Sequence, residues 1–413
     1  MLSKNCNFAL YDYYQNLIMK GNFIYSNPTK IYFGDEAQKH IEEAVKPFGK
    51  KGLLVYGSGS IKKNGIYEDV VSALNKAGKQ IVELSEVMPN PTLEKLEEGR
   101  ALAREFDVDF ILAVGGGSVI DYAKAVSVTT WYEGNAWDNF WMKLNDPDPD
   151  QRLIPVGAVV TMSGTGSEMN GGTVITNTLT KMKLTKAFGD KVFPKFAIMN
   201  PRYTFSLPHY QMVAGIYDTF SHIMEQYFSD PEDDSTSDYI AEGLMRSVIA
   251  SSRVAVKDSE NYEARSNLMW ASTWALNTLI GRGKKQDWMP HMIGKAISAH
   301  TDATHGMTLS SVASAYYKLV MDYGIKRFAS FAKNVWNIPE EGKSEREMAT
   351  EGIEALIAWI KEIGAVDNIS DLGVTEDMIP AIVESTILNG GGFIVLDSAD
   401  VTKILRSSLI QHT

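Results

Sequence analysis

The segment VDFILAVGGGSVIDYAK, residues 108–124, joins an apolar run to three glycines, a serine and a helical pattern. The apolar run predicts a buried strand over 108–117, and the residues that follow predict a helix carrying Asp121 and Lys124. A strand, a glycine-rich turn and a helix in this order form the repeating unit of parallel sheets. The segment therefore predicts an α/β fold.

The sequence on either side repeats this unit. Strands are predicted at 51–57, 80–84 and 152–162, and amphipathic helices at 67–78 and 92–107. This alternation predicts a doubly wound parallel sheet that binds ligands at the carboxyl ends of its strands.

Strand patterns largely disappear after MNPRYTFSLPHY, residues 199–210, and helical patterns continue to the C-terminus. A boundary near residue 205 is therefore predicted. It divides the 413 residues into an N-terminal extension (1–21), an α/β dinucleotide-binding domain (22–205) and an all-α domain (206–413).

Composition restricts the class of protein. The 40 basic and 51 acidic residues give a formal net charge of -11, which argues against a nucleic-acid binder. The only cysteine, Cys6, excludes an intrachain disulfide and a thiolate metal cage, and it favours a cytoplasmic protein. The apolar runs are too short to span a bilayer, so no membrane association is expected.

Three glycine–serine loops follow predicted strands: GSGS (57–60), GGGS (115–118) and GTGSE (164–168). Glycines let the backbone approach a phosphate, and a helix N-terminus presents unpaired N–H groups to an anion. The alternative is that these glycines only form tight turns. None of the loops matches GxGxxG or a Walker A motif, but three such loops in one sheet favour a bound nucleotide.

Candidate metal ligands lie in the helical half. In GIYDTFSHIMEQY, Asp218 and His222 are four residues apart and share a helix face, although an ordinary surface pair has the same spacing. HMIGKAISAHTDATHG, residues 291–306, adds His291, His300 and His305. One carboxylate with imidazoles is a donor set suited to Fe²⁺ or Zn²⁺.

From about Asn22 to about Leu409 the chain resembles the iron-containing (group III) alcohol dehydrogenases, above all the NAD(P)H-dependent butanol dehydrogenases. The motifs that carry the resemblance are NPTKIYFG, VYGSGSIKKNGIYEDV, PNPTLEKLEEG, LAVGGGSVIDYAKAV, GTGSEMN, PKFAIMNPRYTFSLP, AGIYDTFSHIMEQYF, ARSNLMWASTWALN and ATHG.

The resemblance implies a Rossmann-like nucleotide domain and a helical domain, an architecture shared with dehydroquinate synthase, with the active site in the cleft between them. It also implies a homodimer. The metal ligands it implies are Asp218, His222, His291 and His305, whereas His300 is not among them. The cofactor-binding residues it implies are Gly57, Ser58, Ser60, Asn90, Gly116, Gly117, Ser118, Asp121, Thr161, Thr165 and Lys183.

Lys295 departs from the family pattern, because a second histidine near substrate and nicotinamide usually occupies this position and is thought to relay the proton. A lysine can donate a proton, and burial beside a cation would lower the pKa of such an amine. Lys295 is therefore the candidate catalytic residue.

The function implied is that of a metal-dependent alcohol dehydrogenase or aldehyde reductase. Hydride would pass between NAD(P)H and small aliphatic substrates such as butanal or butanol. Alternatives on the same fold are a polyol dehydrogenase acting on glycerol or propanediol, a dehydroquinate synthase-like lyase, and a binding protein that has lost activity at Lys295. The apolar segments MWASTWALNTLI and DWMP favour a small neutral substrate.

NADP(H) is the expected cofactor, with NAD(H) possible. Gly57 stands where NAD-preferring relatives carry an acidic residue that would repel a 2′-phosphate. Lys62 and Lys63 place positive charge near the same loop.

Overall fold

The computed structural model describes residues 22–230 and 234–410, so the predicted extension 1–21, with Cys6, lies outside the described residues. The described chain forms two compact units. The α/β unit comprises Ser26–Leu207 and Glu260–Thr273. The helical unit comprises Pro208–Ser259 and the chain from Trp274 onward.

The strands are β1 (Lys30–Phe33), β2 (Lys51–Tyr56), β3 (Gln80–Leu84), β4 (Phe110–Gly115), β5 (Val156–Val160), β6 (Gly172–Asn177), β7 (Met182–Ala187) and β8 (Phe196–Met199). The α-helices are α1 (Ile41–Val45), α2 (Ile66–Lys76), α3 (Leu93–Glu105), α4 (Gly117–Thr129), α5 (His209–Tyr227), α6 (Thr236–Ala255), α7 (Tyr262–Ala275), α8 (Met289–Thr301), α9 (His305–Val320), α10 (Ile325–Asn334), α11 (Glu345–Glu362), α12 (Ile379–Ser385) and α13 (Ser398–Ser407).

Six strands form one parallel sheet in the order β1–β8–β5–β4–β2–β3. β4 and β5 are buried along their whole length, as expected for strands covered on both faces. The chain runs from β2 outward to β3, but from β4 the other way to β5, so the order reverses between β2 and β4. Open α/β sheets bind ligands beside the carboxyl ends of the strands at such a reversal. Gly57 directly follows β2, and Gly115 is the last residue of β4, so the GSGS and GGGS segments lie at this reversal.

The predicted parallel α/β sheet followed by a helical region is confirmed. β3 has the predicted bounds, whereas β5 is shorter than the predicted 152–162. The sequence patterns do not reveal β1 and β8, because each has only four residues. They also do not reveal the antiparallel hairpin β6–β7, which lies outside the main sheet.

One helical segment belongs to the α/β unit rather than to the helical unit. Arg265 on α7 donates from Nε to Thr204 Oγ1 (2.9 Å) and from NH2 to the Thr204 carbonyl oxygen (2.6 Å). Thr273 on the same helix donates to Glu168 Oε1 at 2.6 Å. The chain therefore leaves the α/β unit at Leu207, returns for Glu260–Thr273 and leaves again.

In the helical unit, α5 is buried from Met212 to Tyr227. α9 begins against it, since a Cβ on Gly306 would lie 2.0 Å from the Ala214 carbonyl oxygen. α8 begins with Met289 and has Pro290 in its first turn, where the missing N–H costs no helical hydrogen bond. No helix in the described residues is both long and apolar enough to cross a bilayer.

Candidate metal centre and nucleotide loops

Helices α5 and α8 bring three candidate ligands together. Asp218, His222 and His291 are buried, and each offers one ligand atom within 4.8 Å of the other two. His222 Nε2 lies 3.0 Å from His291 Nε2. Asp218 Oδ1 lies 3.7 Å from His222 Nδ1 and 3.7 Å from His291 Nε2. Ligand atoms around a tetrahedral ion with bonds of about 2.1 Å are about 3.4 Å apart, which is comparable with these separations.

The polar atoms of this cluster fit a divalent cation. Asp218 Oδ1 and His222 Nδ1 are buried and have no hydrogen-bond partner among the described residues. Two imidazole nitrogens at 3.0 Å repel each other unless a proton or a cation lies between them. One carboxylate oxygen and two imidazoles form a donor set that Fe²⁺ and Zn²⁺ accept.

Metal binding needs an ionised carboxylate and neutral imidazoles, and the ionisation states of Asp218 and His222 meet this need. Burial lowers the pKa of His222 to about 4, so its ring is neutral near pH 7. Burial opposes ionisation of Asp218, but the neighbouring imidazoles, His222 first, hold its pKa below the usual range. Burial also opposes a charge on His291, but the Glu225 and Asp218 carboxylates raise its pKa. The raised pKa means that the His291 ring takes up a second proton more readily, and a bound cation would displace that proton.

His305 begins α9 and lies beside the cluster, with its ring centroid 5.1 Å from that of His291. The ligand atoms of Asp218, His222 and His291 all lie within 4.8 Å of one another, but His305 does not belong to this group. Its role as a fourth ligand therefore stays a prediction. His300, at the last turn of α8, has its Nε2 3.1 Å from Ser385 Oγ.

Lys295 is buried on α8, one turn after His291. Its charge contributes to lowering the pKa of His222, after burial and the charge of His291, so the amine is close enough to act on the cluster electrostatically. Trp288 is half-buried, and its ring centroid lies 6.1 Å from that of His222 and 5.4 Å from that of His291.

Glu225 is a residue of the site that the sequence patterns do not single out. It lies on α5, is completely buried, and its Oε1 is 2.6 Å from His291 Nδ1. The available signal was its spacing, because Glu225 follows Asp218 by seven residues and His222 by three and so lies on the same helix face.

In the α/β unit, the GGGS loop connects β4 to the N-terminus of α4, which has Gly116 at its N-cap. The first N–H groups of a helix lack intrahelical partners and can bind phosphate. A Cβ on Gly117 would lie 2.2 Å from Thr165 Oγ1. The second and third glycine–serine loops therefore touch, and Gly117 makes this close approach possible. Ser118 lies in the first turn of the same helix.

Asp121 binds groups of its own chain. Its Oδ1 accepts a hydrogen bond from Ser167 Oγ and lies 3.3 Å from Lys124 Nζ. Its Oδ2 accepts the Val174 N–H at 3.0 Å. Lys124 is completely buried and also donates to the carbonyl oxygens of Ser167 and Asn170. Asp121 and Lys124 thus tie the GGGS helix to the GTGSEMN loop.

Other predicted cofactor residues form two small groups. Lys183 on β7 donates to Asn90 Oδ1 at 2.6 Å, and both side chains are buried. Thr161, directly after β5, donates its backbone N–H to the Gly115 carbonyl oxygen at 3.0 Å. The structure therefore brings together Asn90 with Lys183, and Thr161 with the GGGS loop.

The loop after β2 exposes Ser58 and Ser60 and contains Gly59 at a φ of 91°. Lys62 is paired with Glu83 on β3: Nζ lies 3.5 Å from Oε2 and within 5.0 Å of the ring centroids of Tyr56 and Tyr67. A carboxylate therefore partly offsets the positive charge that the sequence places at this loop.

A buried site with one carboxylate and two imidazoles suits a divalent metal, and the parallel sheet of the same chain suits a nucleotide, as expected of a metal-dependent enzyme that uses a dinucleotide. Comparison with known proteins agrees. Residues 28–201 match the family described as iron-containing alcohol dehydrogenase, and residues 212–409 match the C-terminal region of the same family.

Relatives support this assignment. A probable NADH-dependent butanol dehydrogenase of Bacillus subtilis is 39% identical over 94% of this chain and 100% of that protein. The NADPH-dependent aldehyde reductase YqhD of Escherichia coli is 37% identical over 88% of this chain and 92% of that protein. The crystal structure of an NADH-dependent butanol dehydrogenase from Thermotoga maritima has a TM-score of 0.88 and 38% identity, covering 94% of this chain and 98% of that chain. The chain belongs to the iron-containing alcohol dehydrogenase family and is an oxidoreductase.

Proposed function

We propose that this protein is a metal-dependent, NAD(P)H-dependent alcohol dehydrogenase and aldehyde reductase acting on small aliphatic substrates such as butanal and butanol. The observation that carries the proposal is the buried Asp218–His222–His291 cluster, in a chain whose relatives are named as butanol dehydrogenases and an aldehyde reductase. Its ligand set would comprise these three residues and His305.

When bound, a divalent metal would act as a Lewis acid on the substrate oxygen and the nicotinamide would supply or accept the hydride. The residues of the chain would hold the metal and the transferred proton. Asp218 and His222 are held ionised and neutral respectively, ready to coordinate without losing protons. Lys295 Nζ would hold the proton that the reduced oxygen acquires.

The α/β unit would hold the dinucleotide through its backbone. The N–H groups at the start of α4, around Gly117 and Ser118, would bind the pyrophosphate. The Asn90–Lys183 pair, Thr161 and Thr165 would line the rest of the nucleotide. Asp121 would act with them by fixing the loop that carries Ser167.

An apolar substrate is supported by Trp288 of the DWMP segment, whose ring lies beside the His222 and His291 rings. Met269 to Thr273 of the other apolar segment belong to the α/β unit, so the apolar character of the metal centre is supported by Trp288 and not by these residues. A polyol dehydrogenase acting on glycerol or propanediol and a dehydroquinate synthase-like lyase are the alternatives that the assay must separate.

For the cofactor we propose NADP(H) preference with some use of NAD(H). Gly57 supports this, because it contributes no carboxylate next to a 2′-phosphate, and the hydroxyls of Ser58 and Ser60 are exposed. A cytoplasmic homodimer is also proposed on the family expectation, and sedimentation equilibrium of the purified protein tests the dimer.

The direct test is a panel assay of purified protein with NADPH and NADH against C3 to C6 aldehydes, glycerol, propanediol and the dehydroquinate synthase substrate. Reduction of the aldehydes that is lost with a chelator and restored by Fe²⁺ or Zn²⁺ is expected. Full activity in rigorously metal-free protein would contradict the proposed mechanism.

A further inference from the structure

Glu225 is a completely buried carboxylate near the C-terminal end of α5. A charge in such a place is strongly unfavourable unless several donors compensate it. Three donors surround it. His291 Nδ1 lies 2.6 Å from Oε1, the His291 backbone N–H donates to Oε2 at 3.2 Å, and Ser221 Oγ donates to Oε1 at 2.5 Å.

The contact with the ring determines which nitrogen of His291 is available. A carboxylate accepts hydrogen bonds only, so Nδ1 must carry its proton toward Glu225. Nε2 is then the nitrogen that can bind a cation, and it is the one that lies 3.0 Å from His222 Nε2 and 3.7 Å from Asp218 Oδ1.

The contact with the backbone determines where the ring stands. His291 is the third residue of α8, where the helix has N–H groups without intrahelical partners and a partial positive charge. Glu225 Oε2 accepts one of these N–H groups. One carboxylate on α5 therefore holds both the first turn of α8 and the imidazole that projects from it.

We infer that Glu225 is the positioning residue of the metal centre: it orients His291 for coordination and strengthens metal binding through its negative charge. This rests on the metal centre proposed above. Outer carboxylates that accept from a ligand histidine typically contribute 10- to 100-fold to metal affinity or activity.

Glu242 on α6 offers a matched control. It is also a buried carboxylate of the helical unit, and it accepts hydrogen bonds from Tyr227 Oη (2.7 Å) and Asn334 Nδ2 (2.9 Å). Among the described residues it makes no hydrogen bond with Asp218, His222 or His291. Neutralising it therefore removes a buried carboxylate of the same unit without acting on the metal ligands.

The experiment compares wild type, Glu225→Gln and Glu242→Gln by Zn²⁺ affinity in chelator competition and by the absorption spectrum of the Co²⁺-loaded protein, with melting of the metal-free forms recorded alongside. We expect Glu225→Gln to bind Zn²⁺ about 10- to 100-fold more weakly with an altered Co²⁺ spectrum. Glu242→Gln should keep the wild-type Zn²⁺ affinity and Co²⁺ spectrum, and its melting temperature shows what the loss of a buried carboxylate costs by itself.

Wild-type affinity and spectrum in Glu225→Gln would overturn the inference and leave the proposed function intact. Absence of metal binding in the wild type would instead overturn the metal centre itself. If Glu225→Gln does not fold, Ser221→Ala decides. It removes one of the three donors and should weaken Zn²⁺ binding about threefold to tenfold, and an unchanged affinity would overturn the inference.

Discussion

The proposed metal cluster of the helical unit and the glycine–serine loops of the α/β unit would hold their ligands in opposite ways. The cluster consists of buried titratable side chains, and their pKa values are set first by burial and then by neighbouring carboxylates and imidazoles. The loops would use backbone N–H groups, and Gly117 has no side chain at the point where the GGGS loop closely approaches Thr165. Changes to a side chain should therefore damage the first site, whereas adding a side chain should damage the second.

The largest effect is expected from removing a ligand of the cluster. His222→Ala should lose bound metal and lower kcat/KM by a factor on the order of 10³, because the Lewis acid contributes several kcal/mol. Metal analysis and steady-state assays measure both quantities. His300→Ala is the control. This variant should keep its bound metal, because the His300 side chain lies against Ser385. The same assay on His305→Ala tests the fourth ligand. Loss of metal from His300→Ala but not from His305→Ala would mean that the ligand assignment is wrong.

At the loops the corresponding change is Gly117→Ala. The added methyl would lie 2.2 Å from Thr165 Oγ1, so the GGGS and GTGSE loops would have to move apart. We expect the KM for the cofactor to rise about 10- to 100-fold, because misplacement by about 1 Å costs this much, while metal content stays unchanged. Gly189→Ala is the control in the same unit, since its Cβ would have nothing within 4 Å. A normal KM in Gly117→Ala would show that the loops do not contact the dinucleotide.

The two regions also differ in how far sequence patterns could predict them. β2 and β4 could be predicted because their apolar runs end at glycines, and β3 because its short apolar run lies between two helical patterns. Asp218 and His222 could be recognised as neighbours because residues four apart lie on the same face of a helix. The spacing of Glu225 indicates its helix face, but its contact with His291 could not be predicted, because the two residues are 66 positions apart and only the packing of α5 on α8 brings them together. The pairing of Lys62 with Glu83 and the assignment of Glu260–Thr273 to the α/β unit could not be predicted either, since each depends on contacts between residues distant in sequence.

A smaller effect is expected from a side chain added at the loop after β2. The structure has room for Gly57→Asp, because a Cβ there would meet only the Val87 carbonyl oxygen at 3.5 Å. The new carboxylate would bind a ribose diol and repel a 2′-phosphate, shifting selectivity toward NADH by about tenfold, or about 1.4 kcal/mol. The ratio of kcat/KM with NADH and NADPH measures the shift. A wild type that already prefers NADH would contradict the cofactor proposal.

The smallest effect is expected at Lys295, the proposed catalytic residue. Lys295 is buried on the same helix as His291, and its charge disfavours protonation of His222. An imidazole titrates near neutral pH, whereas an amine holds its proton more tightly, so imidazole is the better acid–base group there. Lys295→His should therefore raise kcat severalfold between pH 6 and pH 8, with metal content unchanged. Lys295→Gln, which has no titratable group, is the matched control and should lower kcat throughout that range. A pH–rate profile of the three proteins makes the measurement. If the histidine variant is no faster than wild type at any pH, Lys295 does not impair the proton step, and water or His300 becomes the candidate that carries the proton.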